Sequence, residues 1–358
     1  MKRLFTLILT AILMLSVLSG CGDPASAPET TGTQTTAPET VSESIPETAP
    51  ETVPETIPEP TQSPEEEKAL KIIIVGNSHG NDTFWLLHEV FNDQMPEQEV
   101  VLGALYYSGC TVSKHVKFAM EDQYVYDFHR NEDGTWETMN EANIDAGLRN
   151  QAWDIVLFQG GRGDTDNEYN LTGRRALEKI VSDRVRQPYQ MMWQITWPSP
   201  NDPMFFSPDY RVQPPAGWVE YLQTNFGHDP YNQFKIMTGK AVEYLVEDET
   251  YEKVICAGAG VMHAHAAQGV PQAQLWRDYT HLSDYGRLIT AYCFYAQLTG
   301  NAVTEVGIDK IPASLRQKYT RNEGDLIITE EMKQVIIAAA NHALEDPWAV
   351  YAGANQGA

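Results

Sequence analysis

The stretch IIIVGNSHGNDTF, residues 72–84, places a serine in a tight turn directly after four apolar residues. A hydroxyl there can cap the helix that follows, or attack a carbonyl if a base reaches it. A candidate base stands far downstream. In WRDYTHLSDYG, residues 276–286, Asp278 and His281 are three apart. On one turn at that spacing, the carboxylate can hold the imidazole's tautomer while the other ring nitrogen faces a nucleophile. Ser78, His281 and Asp278 are therefore the candidate nucleophile, base and orienting acid. Each has a local rival role: a turn serine, a core histidine, a helix-capping aspartate.

The elements that must position them alternate between strand and helix signals. Strand-like runs occupy residues 71–75, 101–107, 153–159, 189–197 and 253–260, and helical spacing marks 82–94, 140–150, 174–185, 231–247, 284–298 and 330–344. This alternation predicts a parallel sheet with helices on both faces. The active sites of such sheets lie beyond the carboxyl ends of the strands. Ser78, Gly109 and Gln159 follow the first three strands, so one rim collects all three. Two regions break the rhythm. Residues 121–140 alternate around Asp133-Gly134 and read as a β-hairpin insertion. Residues 197–229 form a long segment rich in proline and aromatics, read as an ordered lid or binding wall.

With these blocks in order, the chain resembles the SGNH/GDSL hydrolase superfamily. GNSHG with Ser78, SGC with Gly109, FQGG with Gln159, and DYTHLS with Asp278 and His281 are similar to its four motif blocks, over residues 71–300. The likeness is greatest to the branch that holds carbohydrate acetylesterases. It implies a three-layer α/β/α flavodoxin-like sandwich with a central parallel sheet. It implies that the N–H groups of Ser78 and Gly109 are oxyanion donors. Gln159 stands where the third donor, usually an asparagine, is found. It also implies ester hydrolysis, commonly of an O-acetyl group on a sugar, with no metal or organic cofactor. Block one departs from the family pattern, since Asn77 replaces an aspartate and His79 a leucine.

Other residues invite weaker readings. His79, Trp197 and Trp218 are candidate substrate contacts; Trp193, Phe205, Phe206 and Tyr210 could stack on sugars or pack in the core. His263 and His265, two apart, would share one face of a strand, but no further metal ligand accompanies them. Cys110 reads as a small buried side chain. VGNSHG lacks the three-glycine dinucleotide pattern. RGD at 162–164 and NLT at 170–172 occur at chance level.

The first 68 residues differ from the rest. Residues 1–20 carry Lys2 and Arg3, an apolar run and small residues, the pattern of an export signal. LSGC, residues 18–21, resembles the lipobox of bacterial lipoproteins, which implies a lipid on Cys21 and a domain held at the cell surface outside the cytoplasm. Residues 21–68 repeat proline, glutamate and threonine, with eleven acids and one lysine between 22 and 68. Such a segment cannot bury a core and predicts an extended spacer. Residues 69–358 form the one folded domain. The net charge is −24, and the linker's acids account for only part of it. An acidic domain argues against nucleic acid as a partner. The expected partners are an acylated carbohydrate and, through Cys21, a membrane. Two alternatives stay open: a non-catalytic glycan-binding lipoprotein, and a serine hydrolase of lipase or thioesterase type.

Overall fold

The run LKIIIVG forms β1 (Leu70–Gly76), whose last five residues are buried. It pairs in parallel with β2 (Val100–Tyr106) on one side and β5 (Ile155–Gln159) on the other. A strand buried on both faces has no reason to alternate, and this one is apolar almost throughout. Between β1 and β2 lie α1 (Ser78–Phe84) and α2 (Leu87–Gln94). After β2 come α3 (Val112–Met120), the hairpin β3 (Tyr126–Asn131) and β4 (Trp136–Ala142), and α4 (Ile144–Leu148). Then follow α5 (Leu171–Arg184), β6 (Gln190–Ile195), α6 (Trp218–Phe226), α7 (Pro230–Ala241) and β7 (Lys253–Cys256). The chain continues through α8 (Gly258–Ala266), α9 (Gln272–Leu275), α10 (Asp284–Thr299) and α11 (Glu330–Glu345).

This computed structural model describes residues 69–160, 171–185, 187–317 and 324–351. The expected export signal, Cys21, the linker, residues 162–164 and Asn170 lie outside them. No helix among the described residues is long and apolar enough to cross a membrane.

The seven strands run in the order β4-β3-β2-β1-β5-β6-β7. The five from β2 to β7 are parallel, in the 2-1-3-4-5 sequence of flavodoxin-like sheets. Helices cover both sides: α3 packs with α5, while α10 packs with α1, α2, α8 and α11. The expected α/β/α sandwich is therefore present. The strand order reverses at β1, so the crevice of this fold opens at the end that carries Ser78.

Several expectations need correcting. The helix expected over 82–94 is two helices broken at Trp85 and Leu86; Phe84, Leu87, Val90 and Phe91 are all buried, so the apolar spacing hides the break. The expected hairpin is present and joins the main sheet. β3 pairs antiparallel with β2, from Leu102↔Asn131 to Tyr106↔Asp127, and extends the sheet. It takes up an edge of β2 whose N–H and C=O groups would otherwise be unpaired, which makes the sheet mixed rather than purely parallel. The strand expected to reach residue 260 stops at Cys256. His263 and His265 consequently sit on a helix, not a strand. His263 stacks on His342 of α11 at 4.2 Å, whereas His265 Nδ1 meets the carbonyl of Val270 at 2.9 Å. Among the described residues no three His, Cys, Asp or Glu side chains gather around a common point. Among the described residues Cys110, Cys256 and Cys293 form no disulfide, and all three are buried.

Two imidazoles, His115 buried and His263 half-buried, tie stability to pH. Burial pushes His115 from the ordinary 6.5 down to about 3, and its Nδ1 lies 2.9 Å from the hydroxyl of Tyr126. Burial, with His342 alongside, lowers His263 to about 4. Both pKa values are depressed in the folded state, so folding favours the neutral rings. The stability they contribute is intact above pH 6.5 and is lost as pH falls towards 4 and then 3, because the unfolded chain binds the protons first. The melting temperature should fall steadily over that window. His115→Phe should melt lower at neutral pH, because it strands a buried hydroxyl, yet decline less steeply on acidification. Thermal unfolding across the pH series checks this, and an unchanged slope would clear His115 of the effect.

Candidate active site

The backbone of the turn after β1 arranges itself around one free donor. Asn77 is the helix cap of α1, and its Oδ1 accepts the N–H of His79 at 3.0 Å. Its Nδ2 donates to the carbonyl of Cys110 at 2.9 Å, tying the first strand end to the second. From beneath, Gln159 Oε1 accepts the N–H groups of Asn77 at 3.0 Å and Gly80 at 3.1 Å. The amide fits there because residue 80 is glycine: a Cβ on it would lie 3.2 Å from Gln159 Oε1 and 2.9 Å from Ile74 Cδ1. The N–H of Asn81 goes to the carbonyl of Asn77. Ser78's own N–H has no acceptor among the described residues.

Against that turn stands the loop of residues 277–282. An isolated bridge between Trp276 and Leu282 closes its base, and the N–H of Arg277 donates to the carbonyl of His281 at 2.9 Å. Asp278, 3 % exposed, accepts the N–H of Thr280 at 2.8 Å and that of His281 at 2.7 Å through Oδ1. His281 Nδ1 lies 3.0 Å from Asp278 Oδ2 and 3.1 Å from Oδ1, while its Nε2 lies 2.9 Å from Ser78 Oγ. Burial would raise the Asp278 carboxyl. The hydrogen bond from the imidazole, the charge of that ring, the N–H of His281 and the nearby Arg277 outweigh burial and hold it below the usual carboxylate range. An ionised carboxylate that accepts from three donors fixes the tautomer with its proton on Nδ1, leaving Nε2 to accept from the serine.

Gly109 completes the rim from the end of β2. Its φ of +59° is a left-handed conformation that glycine takes without strain, and it is exposed to the cleft. Its N–H, like that of Ser78, has no acceptor among the described residues. Two unpaired donors beside an activated hydroxyl are what a tetrahedral oxyanion requires.

Gln159 does not join them. It is 1 % exposed, and both its ends are engaged below the turn, Oε1 as above and Nε2 donating to the carbonyl of Gly160. The expectation of a third oxyanion donor is corrected: the extra methylene relative to asparagine carries the amide under the Ser78 turn, where it serves as an acceptor. Trp197 is also reassigned. It is wholly buried, and its Nε1 donates to the carbonyl of Thr280 at 3.0 Å, so it props the loop of Asp278 and His281 instead of meeting substrate. His79 lines the cleft, its Nε2 3.2 Å from the hydroxyl of Thr280. Trp218 lines the cleft too, stacked on Tyr221 and edge-on to Tyr279.

The cleft has a volume of about 520 Å³ and is bounded by the Ser78 turn, residues 108–111, the segment from Pro215 to Trp218 with Tyr221, and Tyr279–His281. The segment expected over 197–229 is an ordered wall. It contains a 3₁₀ turn at Pro203–Phe206 and α6, and Gln272 Oε1 accepts from Asn201 and Asp202. Tyr221 and Tyr279 were not singled out by their sequence. The i, i+3 spacing of Trp218 and Tyr221 on a helix is the signal that would have paired them.

No protein-family model matches the chain, and no curated protein does. Among solved structures, a DUF4886 family protein from Bacteroides uniformis is 19% identical, with a TM-score of 0.61, and the match covers 79% of this chain and 97% of that one. The likeness is one of fold. More distant matches are a protein from Slackia heliotrinireducens whose assignment as an SGNH hydrolase is itself provisional (16% identity, TM-score 0.36, 63% and 96% covered) and a catalytic mutant of an acetylxylan esterase from Geobacillus stearothermophilus (13% identity, TM-score 0.36, 63% and 93% covered). The four blocks singled out in the sequence, around Ser78, Gly109, Gln159 and Asp278 with His281, lie together at the carboxyl end of the sheet.

Replacing Gln159 by methionine keeps the shape and removes the acceptor. Two buried N–H groups would lose their partner at about 1–3 kcal/mol each. The variant should melt lower, and any Ser78-dependent hydrolysis of an activated ester by the wild type should drop in it by ~10-fold or more as the Ser78 donor loses its aim. Unchanged kcat in a folded variant would show that the amide does not organise the turn.

Proposed function

We propose that this protein is a serine esterase that removes acyl groups, most simply acetyl, from carbohydrates. The observation that carries the reading is the continuous relay from Ser78 Oγ through His281 to Asp278, opening on a cleft. His281 Nε2 takes the proton from Ser78 as the hydroxyl attacks the ester carbonyl. Asp278 stabilises the imidazolium that forms. The N–H groups of Ser78 and Gly109 receive the oxyanion, and His281 returns its proton to the leaving alcohol. Water, activated by the same imidazole, then releases the acid from the acyl-enzyme. Every step uses side chains or backbone of this chain.

A sugar alcohol as leaving group is supported by the wall opposite the serine. Trp218, Tyr221 and Tyr279 offer aromatic surface, and no carboxylate, lysine or arginine is among the described lining residues. Aromatic rings with a few hydroxyls suit a neutral ring sugar better than a long acyl chain. The proposal includes anchorage: a lipid on Cys21 and the acidic spacer would hold the domain outside the cytoplasm, within reach of a polymer.

The test is acetate release from a panel of O-acetylated glycans by residues 68–358, beside Ser78→Ala. Wild type should release acetate and the variant should be slower by ~10³-fold or more. Two equally inert proteins that still bind the glycans would instead establish a binding module.

A further inference from the structure

One helical turn beyond Ser78, Asp82 is 1 % exposed and lines no part of the cleft. Its carboxylate reaches across to the other half of the candidate site. Oδ1 accepts from Arg277 Nη1 at 2.9 Å, and Oδ2 accepts the N–H of Leu282 at 3.2 Å. Arg277 Nη1 also donates to the carbonyl of Leu282 at 2.8 Å, and its Nε lies 3.8 Å from Asp278 Oδ2. Arg277 and Leu282 are the two ends of the loop that holds Asp278 and His281. Behind Asp82, the fully buried Arg287 donates through Nε to the Asp82 carbonyl at 3.3 Å and through Nη1 to Asp284 at 2.7 Å.

We propose that Asp82 and Arg277 form a positioning clamp that sets the distance between Ser78 and His281. This rests on the reading of Ser78 as nucleophile. Both stems of the loop are gripped by one carboxylate, and that carboxylate rides on the same short helix as the serine. The 2.9 Å contact between Ser78 and His281 is then fixed by two bonds and one turn of helix. Buried ion pairs seldom stabilise a fold more than apolar packing would, so cohesion alone is a poor account of this one. Alignment is a better one, since a displacement of about 1 Å between reacting groups can cost ~10²-fold in rate. Asp82 and Arg277 touch no reacting atom and act only through Ser78 and His281.

The experiment compares wild type, Arg277→Met and Arg277→Lys in the full domain. Hydrolysis of a soluble acetyl ester is measured well below each melting temperature, together with the low-field proton resonance of His281 Nδ1. Arg277→Met should lower kcat by ~10–100-fold with KM changed less than about twofold, while circular dichroism shows a fully folded protein. The resonance should move or broaden, and Arg277→Lys should recover part of both. A folded Arg277→Met with kcat and resonance like wild type would overturn the clamp and leave a purely structural ion pair. Should Arg277→Met not fold, Asp82→Asn, which keeps an acceptor for Leu282, is judged by the same two readouts. If wild type shows no hydrolysis that depends on Ser78, the esterase reading fails. The clamp is then decided by the resonance alone.

Discussion

The first turn of α1 begins with N–H groups that the helix itself cannot pair, and their disposal organises the site. Asn77 takes that of His79, and Gln159 takes that of Gly80 along with that of Asn77 just outside the helix. What remains is the N–H of Ser78, pointing where charge would develop. An orphan donor in a buried turn is costly unless water or a ligand meets it, so the turn is stable only if it faces an open cleft. That single constraint explains the buried glutamine, the glycine at 80 that makes room for it, and the bond from Asn77 to Cys110 that draws Gly109 alongside.

The second half of the site obeys a different logic. Asp278 gathers three donors from its own loop. Its location relative to Ser78 comes from other contacts: Asp82 on the serine's helix, Trp197 donating to Thr280, and Trp276 donating to Pro198. Trp197 and Pro198 sit just beyond β6, so the strand end also braces the loop of Asp278 and His281. The charged members, Asp82, Arg277, Arg287, Asp284 and Arg316, satisfy one another in series. A series of this kind is sensitive to the loss of any member, because each removal leaves a buried charge without its partner.

Much of this could be read from the sequence where the chemistry is local. The strand after Leu70, its terminal serine, and Asp278 with His281 three residues later each carry their signal within a few positions. The parallel order of the sheet followed from alternation, although the hairpin's union with β2 did not, because an antiparallel pair reads alike whether it stands apart or extends a sheet. Gln159 was found, but its direction was not: sequence gives the residue at a strand end and says nothing of which side of the turn its amide occupies. Trp197 misled for a similar reason, since an aromatic in a proline-rich stretch reads the same whether it faces solvent or supports the loop behind. Asp82 was invisible as a partner, because its contacts lie about two hundred residues away, at Arg277 and Leu282.

The cleft itself is assembled from pieces that have no sequence relation. Its far wall is α6, entered through Gly217 and left through Gly227, both in left-handed conformation. Only Leu222 and Phe226 of that helix are buried, so most of its surface is free to face a ligand. The wall keeps its place through the stretch before it, where Tyr210 donates to the carbonyl of Arg277 and Gln272 holds Asn201 and Asp202. Tyr210 thus joins the stretch before the wall to the stem of the loop that carries His281. In a chain of net charge −24, a cleft whose described lining has no carboxylate separates two effects. The overall field disfavours anionic polymers at long range but is screened beyond roughly 8–10 Å at physiological salt. At contact, aromatic rings and hydroxyls remain, and these discriminate by shape and hydrogen bonding more than by charge.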